Sequence, residues 1–197
     1  MGITKFYLPI KIIFGSGALA QLGSEAGKIG QRAILVTGST SMRKAGALDR
    51  VTQDLKANGV NVSVFDKVEP NPRVSTVDEG SKIARREKAD LIIGFGGGSA
   101  MDAAKAIALA SSGTESIWRY VEAQAEVKGP VPSLILVPTV AASGSEANNG
   151  AVITNWDTHE KMVLTSPHFF AKVSIVDPDL TLTLPEKPTA QGGVDIF

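Results

Sequence analysis

Read from the N-terminus, short apolar runs alternate with amphipathic stretches in a regular rhythm. Arg32 to Thr37 (RAILVT), Ala89 to Phe95 (ADLIIGF) and Ser133 to Val137 (SLILV) are nearly continuous hydrophobic runs, the pattern of strands buried on both faces. Val60 to Phe65 reads as a further strand. Between them, Ala45 to Asn58 places Ala47, Leu48, Val51 and Leu55 on one helical stripe and stops at Asn58-Gly59. Ser75 with Asp78 reads as a capping pair opening a helix to Lys88, and Ala100 to Ala110 as the next helix. Strand and helix thus alternate four times, in units of about 30 residues, which predicts βαβ crossovers and a parallel sheet with helices on both faces.

The flanks differ. Thr4 to Phe14 is strand-like around Pro9, which marks an edge strand or a bend, and Ala18 to Lys28 reads as a helix. After Gly150, Ala151 to Asn155 and Lys161 to Thr165 read as a hairpin across Trp156 to His159. Val173 to Val176 is a last strand, and a helix is expected from Thr189 onward. The fold class is therefore α/β: a Rossmann-like parallel sheet with N-terminal edge strand and a small hairpin.

Composition narrows the chemistry. Of 197 residues 43% are hydrophobic, enough for a sizeable core, and 20 Lys+Arg balance 20 Asp+Glu. With no basic run, a nucleic-acid partner and an anionic membrane surface are both disfavoured. Cysteine is absent, which removes disulfides, thiolate nucleophiles and Cys-ligated metals, and points to the cytoplasm. No secretory leader or membrane span is expected. His159 and His168 are the two histidines, too few for a three-histidine metal site.

Glycine is in excess, 20 of 197 or about 10% against a usual 7%. Gly15-Ser16-Gly17-Ala18-Leu19-Ala20 fits G-x-G-x-x-A, but the strand that follows ends in Gly38-Ser39 where an acidic ribose partner belongs. This turn reads as helix packing rather than phosphate contact. Gly96-Gly97-Gly98-Ser99 lies where a buried strand meets a helix, so bare backbone N–H groups and the helix dipole can face an anion. A pyrophosphate is expected there, with Ser99 and Asp102 open to the simpler role of N-cap and N3 residues. Ala141 to Asn149 is a small, polar run at another strand end. No Walker A sequence and no G-x-S-x-G elbow occur, which excludes a P-loop triphosphatase and an α/β-hydrolase serine site.

Together Phe95-Gly96-Gly97-Gly98-Ser99 with Asp102 and Lys105, Pro138-Thr139, Ser143-Gly144-Ser145-Glu146, Lys161, Asp177-Pro178, Leu184-Pro185 and Gly193-Val194-Asp195 resemble the iron-dependent (group III) alcohol dehydrogenases. The likeness runs from Phe14 to Asp195 and covers the N-terminal half of such an enzyme. It implies a dehydroquinate synthase-like N-terminal domain, here residues 1–187, followed by a helical metal-binding domain of which 188–197 would be the start. In the family the metal, Fe²⁺ or Zn²⁺, is held by one aspartate and three histidines. Asp195 matches the aspartate; the first histidine is expected four residues later, beyond Phe197, so metal is not expected to be retained here.

Carried over by position, Gly97, Gly98 and Ser99 would donate to the pyrophosphate and Asp102 would support that loop near the nicotinamide. Thr139 and Ser143 would line the nicotinamide ribose and amide, Lys161 would bind a ribose hydroxyl, and Asn71 would border the cleft. Val140 stands where a second threonine is usual and Ala142 where glycine is common, which predicts weaker contacts from that loop. Gly38 and Ser39 replace the aspartate of NAD-preferring members, with Arg43 and Lys44 close behind, so of NAD(H) and NADP(H) the latter is favoured. The resemblance implies hydride transfer between nicotinamide and a small alcohol or aldehyde. A homo-oligomer is expected separately, because the edge segment Thr4 to Phe14 could pair with a partner's strand and the absence of the helical domain would leave an apolar face exposed. The alternatives are a stand-alone or truncated nucleotide-binding module with little catalysis, and a polyol dehydrogenase of the same superfamily.

Overall fold

The structure is a computed structural model that describes residues 7–38 and 46–196. Six parallel strands form one sheet in the order β1-β8-β5-β4-β2-β3, and an antiparallel pair, β6 and β7, stands apart from it. The strands are β1 (Lys11–Phe14), β2 (Arg32–Gly38), β3 (Asn61–Val68), β4 (Leu91–Gly96), β5 (Ser133–Pro138), β6 (Gly150–Asn155), β7 (Glu160–Thr165) and β8 (Val173–Val176). The helices are α1 (Leu22–Gly27), α2 (Ala47–Ala57), α3 (Val74–Arg86), α4 (Gly98–Ser111), α5 (Ile117–Val121) and α6 (Glu186–Ile196).

The continuous hydrophobic runs are buried on both faces because helices cover both. Ile34, Val36, Ile92, Leu134 and Leu136 pack under α3, α4 and α5, while Leu35, Ile93, Ile135 and Val137 pack under α1 and α2. This alternation along each strand gives the sheet two cores. In α2, Leu48, Val51 and Leu55 form the buried stripe. That helix stops as expected: Gly59 is left-handed, its N–H bonds the Lys56 carbonyl, and the Val60 N–H bonds the Leu55 carbonyl.

Helix α4 is buried almost all round, from Ala100 to Ala110, and its composition explains why it fits. Alanines let it approach β4 closely. A Cβ on Gly94 would lie 2.9 Å from Ala104 Cβ and 3.2 Å from Met101 Cα, so only glycine permits this separation. The hairpin β6–β7 lies against the same helix and pairs Asn155 with Glu160 beside the expected turn.

Some local expectations are corrected. Ala18 to Lys28 is two pieces, a 3-10 turn (Ala18–Gln21) and then α1. Ser75 lies inside α3, whose N-cap is Arg73 with no side-chain cap, and Asp78 instead accepts from the Ile117 N–H (2.8 Å) and so anchors α5. The C-terminal helix starts at Glu186, and α5 itself had no sequence signal beyond Ser116, whose hydroxyl accepts from the Trp118 N–H. Of the expected strand Thr4 to Phe14, residues 4–6 lie outside the described residues; within these, β1 is the N-terminal strand and sits at the sheet edge beside β8.

Candidate functional site

From β2 the chain moves outward to β3, then returns to β4 on the other side of β2. The sheet therefore has its switch point between β2 and β4, and in open α/β sheets the crevice outside the carboxyl ends of such strands takes ligands. Gly38 ends β2 there and Gly96 ends β4, with Pro138 of β5 alongside. Ser39, Arg43 and Lys44 lie outside the described residues.

Gly96 has φ 154°, which a side chain would strain, and a Cβ there would meet Ala100 Cβ at 2.8 Å. Gly97 is the N-cap of α4 and makes no side-chain cap bond. The N–H groups of Gly98 and Ser99, at the first two helical positions, have no intrahelical acceptor and stand at the positive end of a 14-residue helix. A Cβ on Gly98 would lie 2.7 Å from Ser143 Oγ, so the gap between this turn and the facing loop exists only because residue 98 is glycine. Val140 of the same loop lies beside the turn, its Cγ2 3.7 Å from the Cβ position of Gly97. Free donors, a helix dipole and a space without side chains fit a pyrophosphate.

Ser99 does not cap the helix. Its hydroxyl accepts from the Asn71 N–H (3.2 Å), and Asn71 Oδ1 accepts from Lys161 Nζ (2.8 Å). Asn71, in the left-handed region at φ 56°, thus links the hairpin to the start of α4. A stack of the Arg73 guanidinium on the Trp156 ring, 4.2 Å from the centroid, secures the same hairpin.

Behind the turn lies a polar network that sequence reasoning reached only in part. Asp102 is no N3 cap: its carboxylate accepts from Ser145 Oγ (2.7 Å) and from the Val152 N–H (2.9 Å). Lys105, 0% exposed, donates to the Ser145 carbonyl (2.6 Å), Ser145 Oγ (3.0 Å), Asn148 Oδ1 (3.0 Å) and the Gly150 carbonyl (2.8 Å). Burial lowers Lys105 from 10.5 to about 8, against the pull of the Asp102 and Glu146 charges. Burial also raises Asp102 above the ordinary carboxylate value, opposed by its bonds from Ser145 and Val152 and by the Lys105 and Lys161 ammoniums. A lone lysine on the alanine-rich face Ser99-Ala100-Met101-Asp102-Ala103-Ala104-Lys105-Ala106 was the available signal for a buried cation.

The remaining expected residues divide between this crevice and elsewhere. Thr139 is 3% exposed at the end of β5, its N–H bonded to the Gly96 carbonyl, and Ser143 faces Gly98. Asp195 is exposed on α6, which reaches the crevice through Gly192: a Cβ there would overlap the Ala141 carbonyl oxygen. Among the described residues no three His, Asp or Glu side chains gather as a metal site, and Asp195 stands on α6 without a second such group beside it. The first glycine turn is already occupied. The Gly17 and Leu19 N–H groups donate to the Asp177 carboxylate at 3.2 and 3.0 Å.

A parallel sheet with a glycine-opened helix at its switch point defines a Rossmann-like α/β domain, and comparison with known proteins identifies its family. The sequence profile described as iron-containing alcohol dehydrogenase matches residues 9–178, and the chain belongs to that family. It is 40% identical over 192 residues to the probable NADH-dependent butanol dehydrogenase 1 of Bacillus subtilis, covering 98% of this chain and 49% of that protein. The NADPH-dependent aldehyde reductase YqhD of Escherichia coli is 36% identical over 196 residues, 98% of this chain and 50% of its own length. The crystal structure of NADH-dependent butanol dehydrogenase A from Thermotoga maritima superposes with a TM-score of 0.93 at 35% identity, over 99% of this chain and 49% of that one. The chain thus spans about half the length of the curated relatives it matches.

Proposed function

We propose that this chain is the dinucleotide-binding part of an NAD(P)-dependent alcohol dehydrogenase or aldehyde reductase. The observation that carries the reading is the open turn Gly96 to Ser99, whose free N–H groups at the start of α4 meet no other acceptor among the described residues. In this reading Gly97, Gly98 and Ser99 bind the pyrophosphate, Thr139 and Ser143 orient the nicotinamide end, and Lys161 and Asn71 border the ribose. When bound, the nicotinamide supplies hydride exchange with the carbon of a small alcohol or aldehyde. The chain's own contribution is to fix that ring and exclude water from one side of it.

Gly38 leaves room at the end of β2 where a carboxylate would repel a 2′-phosphate, which supports NADP(H) over NAD(H). Helix α6 is read as the beginning of a second, helical unit from residue 188, with Asp195 as its first metal ligand. Because Asp195 stands without co-ligands, the 197-residue chain is expected to bind dinucleotide without metal-dependent turnover.

Titration of the chain with NADPH and with NADH, followed by nicotinamide fluorescence, tests this. Binding of both with NADPH tighter is expected; binding of neither overturns the function, and tighter NADH overturns the cofactor preference. An aldehyde-linked NADPH oxidation that depends on added Fe²⁺ or Zn²⁺ would overturn the expectation of an inactive chain.

A further inference from the structure

We infer that Lys105 is a positioning residue for the loop that faces the nicotinamide end of the crevice, holding residues 145–150 and the Asp102 carboxylate in one arrangement against the Gly97-Gly98 turn. The inference rests on the proposed function, which makes that loop part of the cofactor site.

An ammonium has three N–H donors, and Lys105 meets four acceptors within 3.0 Å, two of them backbone carbonyls and two side-chain oxygens. All four belong to the 145–150 segment; none is a carboxylate. Asp102 is reached only through Ser145 Oγ, which accepts from Lys105 and donates to Asp102. Asn148 repeats the pattern: its Oδ1 accepts from Lys105 and from the Gly150 N–H, and its Nδ2 donates to the Gly144 carbonyl (3.0 Å). The cation is therefore the hub of a loop with little regular structure, of which a 3-10 turn at Ser145–Ala147 is the ordered part.

The consequence lies at the other end of the loop. Ser143 is two residues before Ser145, and its Oγ sits only 2.7 Å from where a Cβ on Gly98 would be. Loop and turn are thus at contact distance, and movement of the loop by a fraction of an ångström changes the width of the cradle. Packing alone does not need a charge at position 105, because a methionine would fill the same volume without a buried cation. What the ammonium adds is direction.

The test uses two probes, NADPH and 2′-phospho-ADP-ribose, which shares every group except the nicotinamide. With Lys105→Met, NADPH affinity is expected to fall about tenfold and nicotinamide emission enhancement to disappear, while the fragment changes by less than about twofold. Ser145→Ala, which keeps the charge but breaks the link to Asp102, is expected to show the same selective loss to a smaller degree. In the unmodified chain the ratio of NADPH to fragment affinity should fall as pH rises past about 8, where Lys105 loses a proton and a donor, and the variant should show no such fall. Asp102 on α4, Glu146 on the loop and Lys161 on the hairpin are the other charged groups around it, and all three remain in the variant. Equal loss for both probes, or unchanged NADPH binding, would overturn the positioning role. If Lys105→Met does not fold, the Ser145→Ala comparison and the wild-type pH series decide alone. Failure of the unmodified chain to bind either probe overturns the proposed function and this inference with it.

Discussion

Two glycine turns sit at the carboxyl ends of parallel strands and feed helices, yet they have opposite fates. At Gly15 to Ala20 the freed N–H groups of Gly17 and Leu19 are taken by the Asp177 carboxylate, 4% exposed, which arrives from the end of β8. At Gly96 to Ser99 no side chain among the described residues accepts from the freed N–H groups. The first turn is a closed joint between β1, β8 and α1; the second leaves its donors open, which is what the proposed cofactor site requires. Each turn is governed by a buried polar side chain, but Asp177 binds its turn directly, whereas Lys105 holds the loop opposite and leaves the turn bare. A glycine motif is thus a binding site only where the fold declines to fill it.

Gly98→Val should separate the two most sharply. The added side chain meets Ser143 and fills the open cradle, so dinucleotide affinity by fluorescence titration is expected to fall at least about 1,000-fold, ~4 kcal/mol, with the fold retained. An unchanged affinity would make the second turn as structural as the first.

Lys105 provides the next test, through stability against pH. Its folded value is lowered to about 8 from 10.5, so below pH 8 both states hold the proton and the burial penalty is fully present. Between pH 8 and 10.5 the folded chain releases the proton first, and stability rises with pH by about 3 kcal/mol. Denaturant unfolding of wild type and Lys105→Met across that window should show this gain in the wild type only; parallel curves would mean Lys105 is solvated.

Asp177→Ala should cost about 2 kcal/mol, because three N–H groups, of Gly17, Leu19 and Asp179, lose a buried acceptor. Dinucleotide affinity should not follow, and a matching loss there would show that the closed turn takes part in binding. The smallest effect is expected from Gly17→Ala, about 1 kcal/mol of strain at φ 76°, read from the thermal midpoint.

The sheet was legible because its strands are buried on both faces and so appear as unbroken apolar runs, as in Leu91 to Phe95. The open turn was legible for a related reason: three consecutive glycines between a strand and a helix mark backbone that must approach its neighbours without Cβ atoms, as Gly96 does Ala100 and Gly98 does Ser143. Less was visible where side chains act at a distance. Ser99 and Asp102 have the spacing of a cap, but Ser99 receives Asn71 and Asp102 receives Ser145 and Val152, contacts set by how the segment Pro70-Asn71-Pro72 and the hairpin land on α4. Ser75 and Asp78 mislead in the same way, since Asp78 anchors α5 rather than its own helix. Lys105 entered only as one residue of the family pattern, and its burial became visible once α4 proved to be covered almost all round.

What the sequence by itself determined is the alternation of strand and helix, the parallel sheet, and the bare backbone at Gly96 to Gly98, all of which follow from local periodicity and the absence of Cβ atoms. The tertiary structure alone decided which glycine turn stays open. Asp177 is 160 residues from Gly17, and Ser145 is 43 from Asp102 and 40 from Lys105. Hydrogen bonds and buried charges act over about 3 Å in space and are indifferent to separation along the chain, so their partners were settled only when the strands took their order in the sheet.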